Sequence, residues 1–389
     1  MNRRAVRGAA LLAAAGLLAC CQRGVSTGTG SATAGPTRAG CPAVLDRAKS
    51  DVQQAERIDL AWRGPTSGPA AVPGKTIVFV AQTMTNPGVA GVARGVAEAA
   101  AVIGWSVRVI DGQGTPVGIQ AAFSQAIDLR PSGIVIGGFD PALTAQQLAQ
   151  AEAAHLPLVG WHAEATPGPS QNPKLFSNVT TSVTEVARIT ADWVIAESNG
   201  NAGVVVFTDD SIPFARNKSD LIKSGLADCP NVRLLASANI PIADASGRTP
   251  QEVSSLLARF QGQWTFSAAI NDLYFADAAP ALRAAGKPGD GAPFNIGAGD
   301  GDPSAFQRIR SRQFQAATVP EPLTEQGWQV VDEFNRAFAG DPASGYVAPV
   351  HVATAANSTG VTAWDPPGYR EAYRRIWERP EVGGVRSGE

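Results

Sequence analysis

Short apolar runs alternate with segments of helical period over most of the chain. Thr76-Ile77-Val78-Phe79-Val80 is a run of buried-strand type, β-branched and without polar interruption. Asn86-Pro87 follows it, and then Val89, Val92, Ala93, Val96, Ala100 and Ile103 recur at helical spacing up to Gly104, where a helix stops. The same rhythm predicts strands at 107–110, 133–136, 156–159, 204–207, 232–235, 266–270, 294–296 and 316–319, with helices between them and a break near Asn178. Thr249-Pro250-Gln251-Glu252 reads as a capping box with proline at the first helical position.

About nine or ten such strands, each followed by a helix of 10–15 residues, imply parallel sheets. The break in the middle divides them into two doubly wound α/β lobes; a single barrel is the alternative architecture. In open parallel sheets ligands sit beyond the carboxyl ends of the strands. The residues there are rich in amides and carboxylates: Asn86, Asp140, Asn271, Asp272, Asp300 and Glu321, with Trp161 and Tyr274 as flat apolar walls and His162 beside the tryptophan. Carboxylates and amides grip vicinal hydroxyls, because each oxygen accepts from a separate O–H. Any one of them could instead cap a helix; their recurrence at successive strand ends favours a binding site.

The N-terminus changes the picture of where this body works. Arg3, Arg4 and Arg7 precede an Ala/Leu/Gly run from Ala9 to Ala19, which has the form of a signal-peptide core. The run ends in Leu17-Leu18-Ala19-Cys20, which resembles a bacterial lipobox; the resemblance implies cleavage of residues 1–19 and lipid on Cys20, an ordinary secretory leader being the alternative. Residues 22–40 are mostly Gly, Ser, Thr and Ala, with little apolar content, and fit a flexible tether. Export permits a disulfide. Cys41 and Cys229 are the expected pair, with a buried free thiol at Cys229 as the competing reading. No Cys/His set has metal-ligand spacing, and no cofactor fingerprint is complete.

The chain of 389 residues is long enough for two domains. Its 32 basic and 34 acidic residues leave no phosphate-neutralising excess, which argues against nucleic-acid binding. Three histidines, no Gly-x-Ser-x-Gly, no His-Glu-x-x-His and no Walker A argue against an enzyme.

Several motifs come in a telling order: Thr83-Met84-Thr85-Asn86-Pro87, Leu156-Pro157-Leu158-Val159, Ala269-Ile270-Asn271-Asp272, Ile296-Gly297-Ala298-Gly299-Asp300-Gly301 and Ala316-Ala317-Thr318-Val319. Over about residues 75–355 the chain resembles the type I periplasmic substrate-binding proteins of ABC sugar importers, in the ribose-binding branch. The resemblance implies two lobes joined by three crossings that close on a ligand. It implies that Asn86, Asn271 and Asp300 are ligand contacts. It places His162 where the ribose binders have an aspartate, Ala163 at an arginine, Lys218 at a second ligand-binding arginine and Glu321 at a glutamine. The stacking phenylalanines of the ribose binders are replaced by Gly88 and Val89, so the expected ligand is a sugar of another shape, a polyol or another small polar solute.

The expected organisation is a leader (1–19), an anchored tether (20–40), a lead-in (41–74), a first lobe (75–181 plus 322–349) and a second lobe (182–321 plus 350–389). The second lobe carries a C-terminal docking helix on Tyr369, Tyr373 and Trp377. The expected function is that of a monomeric solute-binding lipoprotein on the outer face of the cytoplasmic membrane that hands its ligand to an ABC permease. Presentation of the ligand to a membrane receptor is the alternative.

Overall fold

A computed structural model describes residues 41–58 and 61–378. The leader, Cys20 and the tether lie outside them. After α1 (Pro42–Ala55) the first lobe runs β1 (Thr76–Ala81), α2 (Pro87–Val102), β2 (Ser106–Asp111), α3 (Pro116–Asp128), β3 (Gly133–Gly137), α4 (Ala145–Ala153), β4 (Leu158–Trp161), β5 (Gly168–Gln171) and β6 (Lys174–Val179). The second runs α5 (Val183–Glu197), β7 (Ala202–Thr208), α6 (Pro213–Ala227), β8 (Val232–Asn239), α7 (Ala245–Phe260), β9 (Phe266–Ala269), α8 (Leu273–Ala284), β10 (Phe294–Gly297), α9 (Pro303–Arg310) and β11 (Ala317–Thr318). The chain closes with α10 (Leu323–Ala339), β12 (Ala353–Thr354) and α11 (Tyr369–Trp377).

The two sheets share the order of their first four strands and differ at the far edge, where β5 precedes its neighbour β6 in the chain and β12 follows its neighbour β11. Their strand orders are β2-β1-β3-β4-β6-β5 and β8-β7-β9-β10-β11-β12. All pairings are parallel except those of the edge strands β5 and β12. The apolar runs follow from burial on both faces. In β1, Ile77 and Phe79 pack toward α2 and α10, while Val78 and Val80 pack toward α3. In β7, Val204 and Val206 join the cluster under α1 and α5, and Val205 and Phe207 the cluster under α7 and α8. The expected two-lobed α/β fold is the one observed.

Four features differ from the sequence reading. The break near Asn178 is in fact strand β6. Its polar residue is tolerated because the Asn178 amide accepts from Ala163 N (3.1 Å) and donates to the carbonyls of Glu164 and Thr166 (2.9 and 2.8 Å). Helix α7 begins at Ala245, a turn before the supposed capping box, so Thr249 and Pro250 lie inside it. A short 3-10 turn, Ile242–Asp244, that buries Ile242 runs directly into this helix and starts it early.

The C-terminal helix packs on the first lobe, not the second. Trp377 stacks on Trp328 of α10 at 5.4 Å and donates to Asp332 (3.0 Å), and Tyr373 and Trp62 close the same aromatic cluster. The lead-in is split. Helix α1 buries Ala48 and Val52 against the second lobe, whereas Ala71 and Val72 bond to Trp377 and Asn335 beside the first. The three crossings after β6, β11 and α10 are therefore joined by two more, one before β1 and one after β12.

Cys41 and Cys229 form a disulfide, which fixes the start of α1 to the loop before β8. The bond closes a separation of 188 residues. Loops of that length lose much chain entropy on cross-linking, so replacing both cysteines by serine is expected to cost about 2–4 kcal/mol. A thermal melt of the double variant should move down by several degrees, and an unchanged melt would mean that α1 docks by packing alone.

Candidate ligand-binding cleft

In each sheet the strand order reverses beside the first strand, between β1 and β3 and between β7 and β9. The carboxyl ends of both sheets face each other there. Asn86 follows β1, His162 follows β4, Asn271 follows β9, Asp300 follows β10 and Glu321 follows β11, while Lys218 reaches in from α6. All six are more than nine-tenths buried.

Their contacts cross the cleft. Asn271 of the second lobe donates to Asn86 of the first (3.4 Å) and to the Asp300 carboxylate. Asn86 also caps α2 by accepting from Gly88 N (3.0 Å). His162 stands at positive φ. Its ring lies on Trp161 at 4.0 Å and under Phe214 of the second lobe at 4.7 Å. Its Nε2 is 3.5 Å from Glu321. Glu321 accepts from Thr181 (2.7 Å) and Gln326 (2.6 Å), and Gln326 accepts from the Trp161 indole (2.7 Å). The Lys218 ammonium donates to Ala298 O (2.7 Å) and sits 5.1 Å from the Phe214 ring centre.

Gly88 is where the lobes come closest. A Cβ at this position would overlap the Asp300 carboxylate. The glycine that replaces a stacking phenylalanine of the ribose binders thus makes room for an acid from the opposite lobe.

Burial sets the protonation states. Asp300 is pushed up to about 8, first by burial and then by the Asp272 charge. Lys218 is lowered by burial, partly offset by Glu321 and Asp300. His162 is lowered by burial, a shift that the neighbouring Glu321 opposes. Burial alone would raise Glu321, but His162, Lys218 and the Thr181 hydroxyl outweigh it and hold the carboxylate at about 2. The cleft therefore offers amide and ammonium donors, one firmly ionised acceptor and one carboxyl able to donate or accept, with the His162 ring held between Trp161 and Phe214.

Four expected contacts lie elsewhere. Tyr274 is wholly buried, donates to Ile240 O (2.6 Å) and packs on Phe207 in the second-lobe core. Asp272 is wholly buried and its carboxylate already accepts from Gln315, Gly301 and Thr318. Trp161 backs the imidazole, so His162 covers the face that was expected to stack on a ligand. Asp140 caps the turn at Pro141 by accepting from Ala142 N (2.8 Å). Phe214, Thr181 and Gln326 complete the cleft. No motif marks the last two, which stand beside the inter-lobe crossings. Gln82, at the end of β1, is buried with no hydrogen-bond partner for its Oε1. Among the described residues no three His, Cys, Asp or Glu side chains are grouped to hold a metal ion, and no helix is long and apolar enough to cross a membrane.

Two sheets meeting at their switch points around a polar cleft define a two-lobed solute-binding protein. Residues 77–342 match the periplasmic binding protein domain, and the chain belongs to that family, whose members bind solutes and are not enzymes. No curated protein sequence matches. Among solved structures, an ABC transporter solute-binding protein from Agrobacterium vitis with bound allitol superposes with a TM-score of 0.63 at 18% identity, covering 74% of this chain and 98% of that one. The arabinose-transporter binding protein of Shewanella sp. ANA-3, bound to L-arabinofuranose, gives 0.65 at 16% identity, with 77% and 96% covered. A sugar ABC transporter protein from Yersinia enterocolitica gives 0.66 at 16% identity, with 80% and 99% covered.

Two outcomes follow. Gly88→Val should hold the lobes apart, so that small-angle scattering shows a larger radius of gyration than for the parent; an unchanged radius would show that Asp300 yields instead. The second concerns pH. Asp300 is raised to about 8, and Asp272, Glu325 and Glu333 to about 7. The folded state thus keeps protons that the unfolded chain releases near pH 4. The stability they contribute is complete below that value and lost as pH rises through 7 to 8. His351, lowered to about 4 by burial, acts in the opposite sense as pH falls. The melting temperature should therefore be higher near pH 5.5 than at pH 8.5, and a flat or rising profile would contradict these assignments.

Proposed function

We propose that this protein is an extracytoplasmic solute-binding lipoprotein of an ABC importer, anchored through Cys20, that binds a sugar or polyol between its lobes and delivers it to a membrane permease. The observation that carries the reading is the ring of Asn86, His162, Lys218, Asn271, Asp300 and Glu321, which faces itself across the cleft with donors and acceptors intermixed. A polyhydroxylated ligand needs both, because each hydroxyl gives one hydrogen bond and takes others. When the lobes part, Phe214 leaves the His162 ring, and the faces so freed serve as the apolar wall on which a sugar face packs, in place of the residues replaced by Gly88 and Val89. The solved structures with allitol and L-arabinofuranose support a neutral ligand of this size.

Binding proceeds from an open form in which these groups are hydrated. The ligand's hydroxyls replace that water, the lobes rotate about the crossings, and the closed surface becomes the one the permease meets. The ligand drives closure only through its higher affinity for the closed form.

A thermal-shift panel of sugars, polyols, amines and amino acids on residues 41–389 tests the reading. At 1,000 times its dissociation constant a ligand adds about 4 kcal/mol of stability. A hit among sugars or polyols is expected. His162→Ala should then weaken that ligand at least about tenfold, and Asp300→Ala more, because it removes a buried carboxyl that both donates and accepts and leaves its partners unmatched. Wild-type affinity in the Asp300 variant would refute the cleft as the site.

A further inference from the structure

We propose that the second lobe holds a separate small-molecule site, at the end of its sheet away from the cleft, that takes a small organic ammonium compound with an aromatic or branched apolar group. A cavity of about 460 Å³ opens at the amino ends of β9 and β10. Small-molecule sites typically measure about 300–1,000 Å³. Four rings line it, those of Trp193, Phe266, Phe294 and Phe314: Trp193 and Phe266 meet edge to face at 6.1 Å, and Phe266 and Phe294 are 5.3 Å apart. Part of the remaining wall comes from Glu56, just past α1, from Glu197 at the end of α5, and from residues 354–356 at the end of β12. The lead-in and the segment leaving β12, the two stretches that add crossings to the hinge, thus help to build it.

The polar groups of this wall are mostly acceptors. Glu56, Glu197 and Asp290 face one basic residue, the exposed Arg312. Glu56 is half-buried and its carboxyl is raised by burial and by the charge of Glu197. Asn295 is 1% exposed and lines the same cavity. Its Nδ2 donates to Phe314 O (2.7 Å), but its Oδ1 is buried with no partner. A group that donates several hydrogen bonds and carries positive charge answers the acids: it relieves the repulsion between Glu56 and Glu197 and gains from the ring faces, which attract cations. A bare metal ion fits poorly, because the cavity is far larger than an ion and walled by rings. A sugar fits poorly, because the wall offers few donors.

Calorimetric titration of the full-length protein with benzylamine, with benzyl alcohol as the uncharged isostere, tests this. The expected result is saturable binding of benzylamine in roughly the millimolar range or tighter, with benzyl alcohol at least about tenfold weaker. The double variant Glu56→Gln/Glu197→Gln should lose at least about tenfold in benzylamine affinity, and so should Phe294→Ala, a second variant at a partly exposed position. Thermal melts establish that each variant folds. Asp300→Ala, in the cleft, should leave benzylamine binding unchanged, which separates this site from the proposed sugar site. No saturable binding, equal binding of the alcohol, or binding lost in Asp300→Ala but kept in the Glu56/Glu197 variant would each overturn the proposal.

Discussion

The buried carboxylate of Asp272 holds the second half of the cleft in place. It accepts from Gly301 N (2.7 Å), Thr318 Oγ1 (3.0 Å) and Gln315 Nε2 (2.5 Å). Those donors belong to the turn after β10, to β11 and to the segment before β11, while Asp272 itself stands in the turn between β9 and α8. One side chain thus gathers three strand ends, and each strand end delivers a cleft residue: Asn271, Asp300 and Glu321. Removing a carboxylate from water is costly unless its oxygens are matched by donors, and here three donors converge on it. Gly297 is required for the same knot, since a Cβ there would overlap the Asp272 oxygen. The residue that seemed a ligand contact is therefore what positions the contacts.

The first lobe solves the matching problem differently. Its cleft residues are tied back to helix α10 through the chain Trp161–Gln326–Glu321–Thr181. Glu321 and Gln326 flank the start of α10, and Thr181 lies at the crossing after β6. Movement of one lobe against the other must therefore pass through the groups that hold Glu321 ionised. A ligand that bonds Glu321 and His162 also engages the hinge, which links occupancy of the cleft to lobe angle by contact.

Much of this was legible because burial on both faces leaves an unmistakable sequence trace. The nine apolar runs all became strands, and the residues after them fell at the cleft because parallel sheets put their carboxyl ends on one side. What was not legible depends on partners distant in sequence. Nothing near Tyr274 says that the Ile240 carbonyl will accept its hydroxyl, and nothing near Trp161 says that His162 will cover it. Strand β6 was hidden by Asn178, a polar residue in a strand that makes sense only once the 163–166 loop it satisfies is known. The aromatic spacing of Tyr369, Tyr373 and Trp377 gave a helix with one apolar face, but the lobe it covers was decided by Trp328 and Asp332 on α10.

Gly88 connects the sequence departures with the geometry. With a large ring at that place and another in the second lobe, a sugar would be held between two flat walls and the lobes kept a ring's thickness further apart. Without them, Asp300 can approach the start of α2, and the His162 imidazole lies between Trp161 and Phe214 of the other lobe. An imidazole between two rings still has nitrogens that can hydrogen-bond, which a phenyl ring lacks. The substitution therefore exchanges apolar area for hydrogen-bonding capacity within a closer-set pair of lobes. That exchange follows from two small residues after Asn86-Pro87 together with one histidine some seventy positions later.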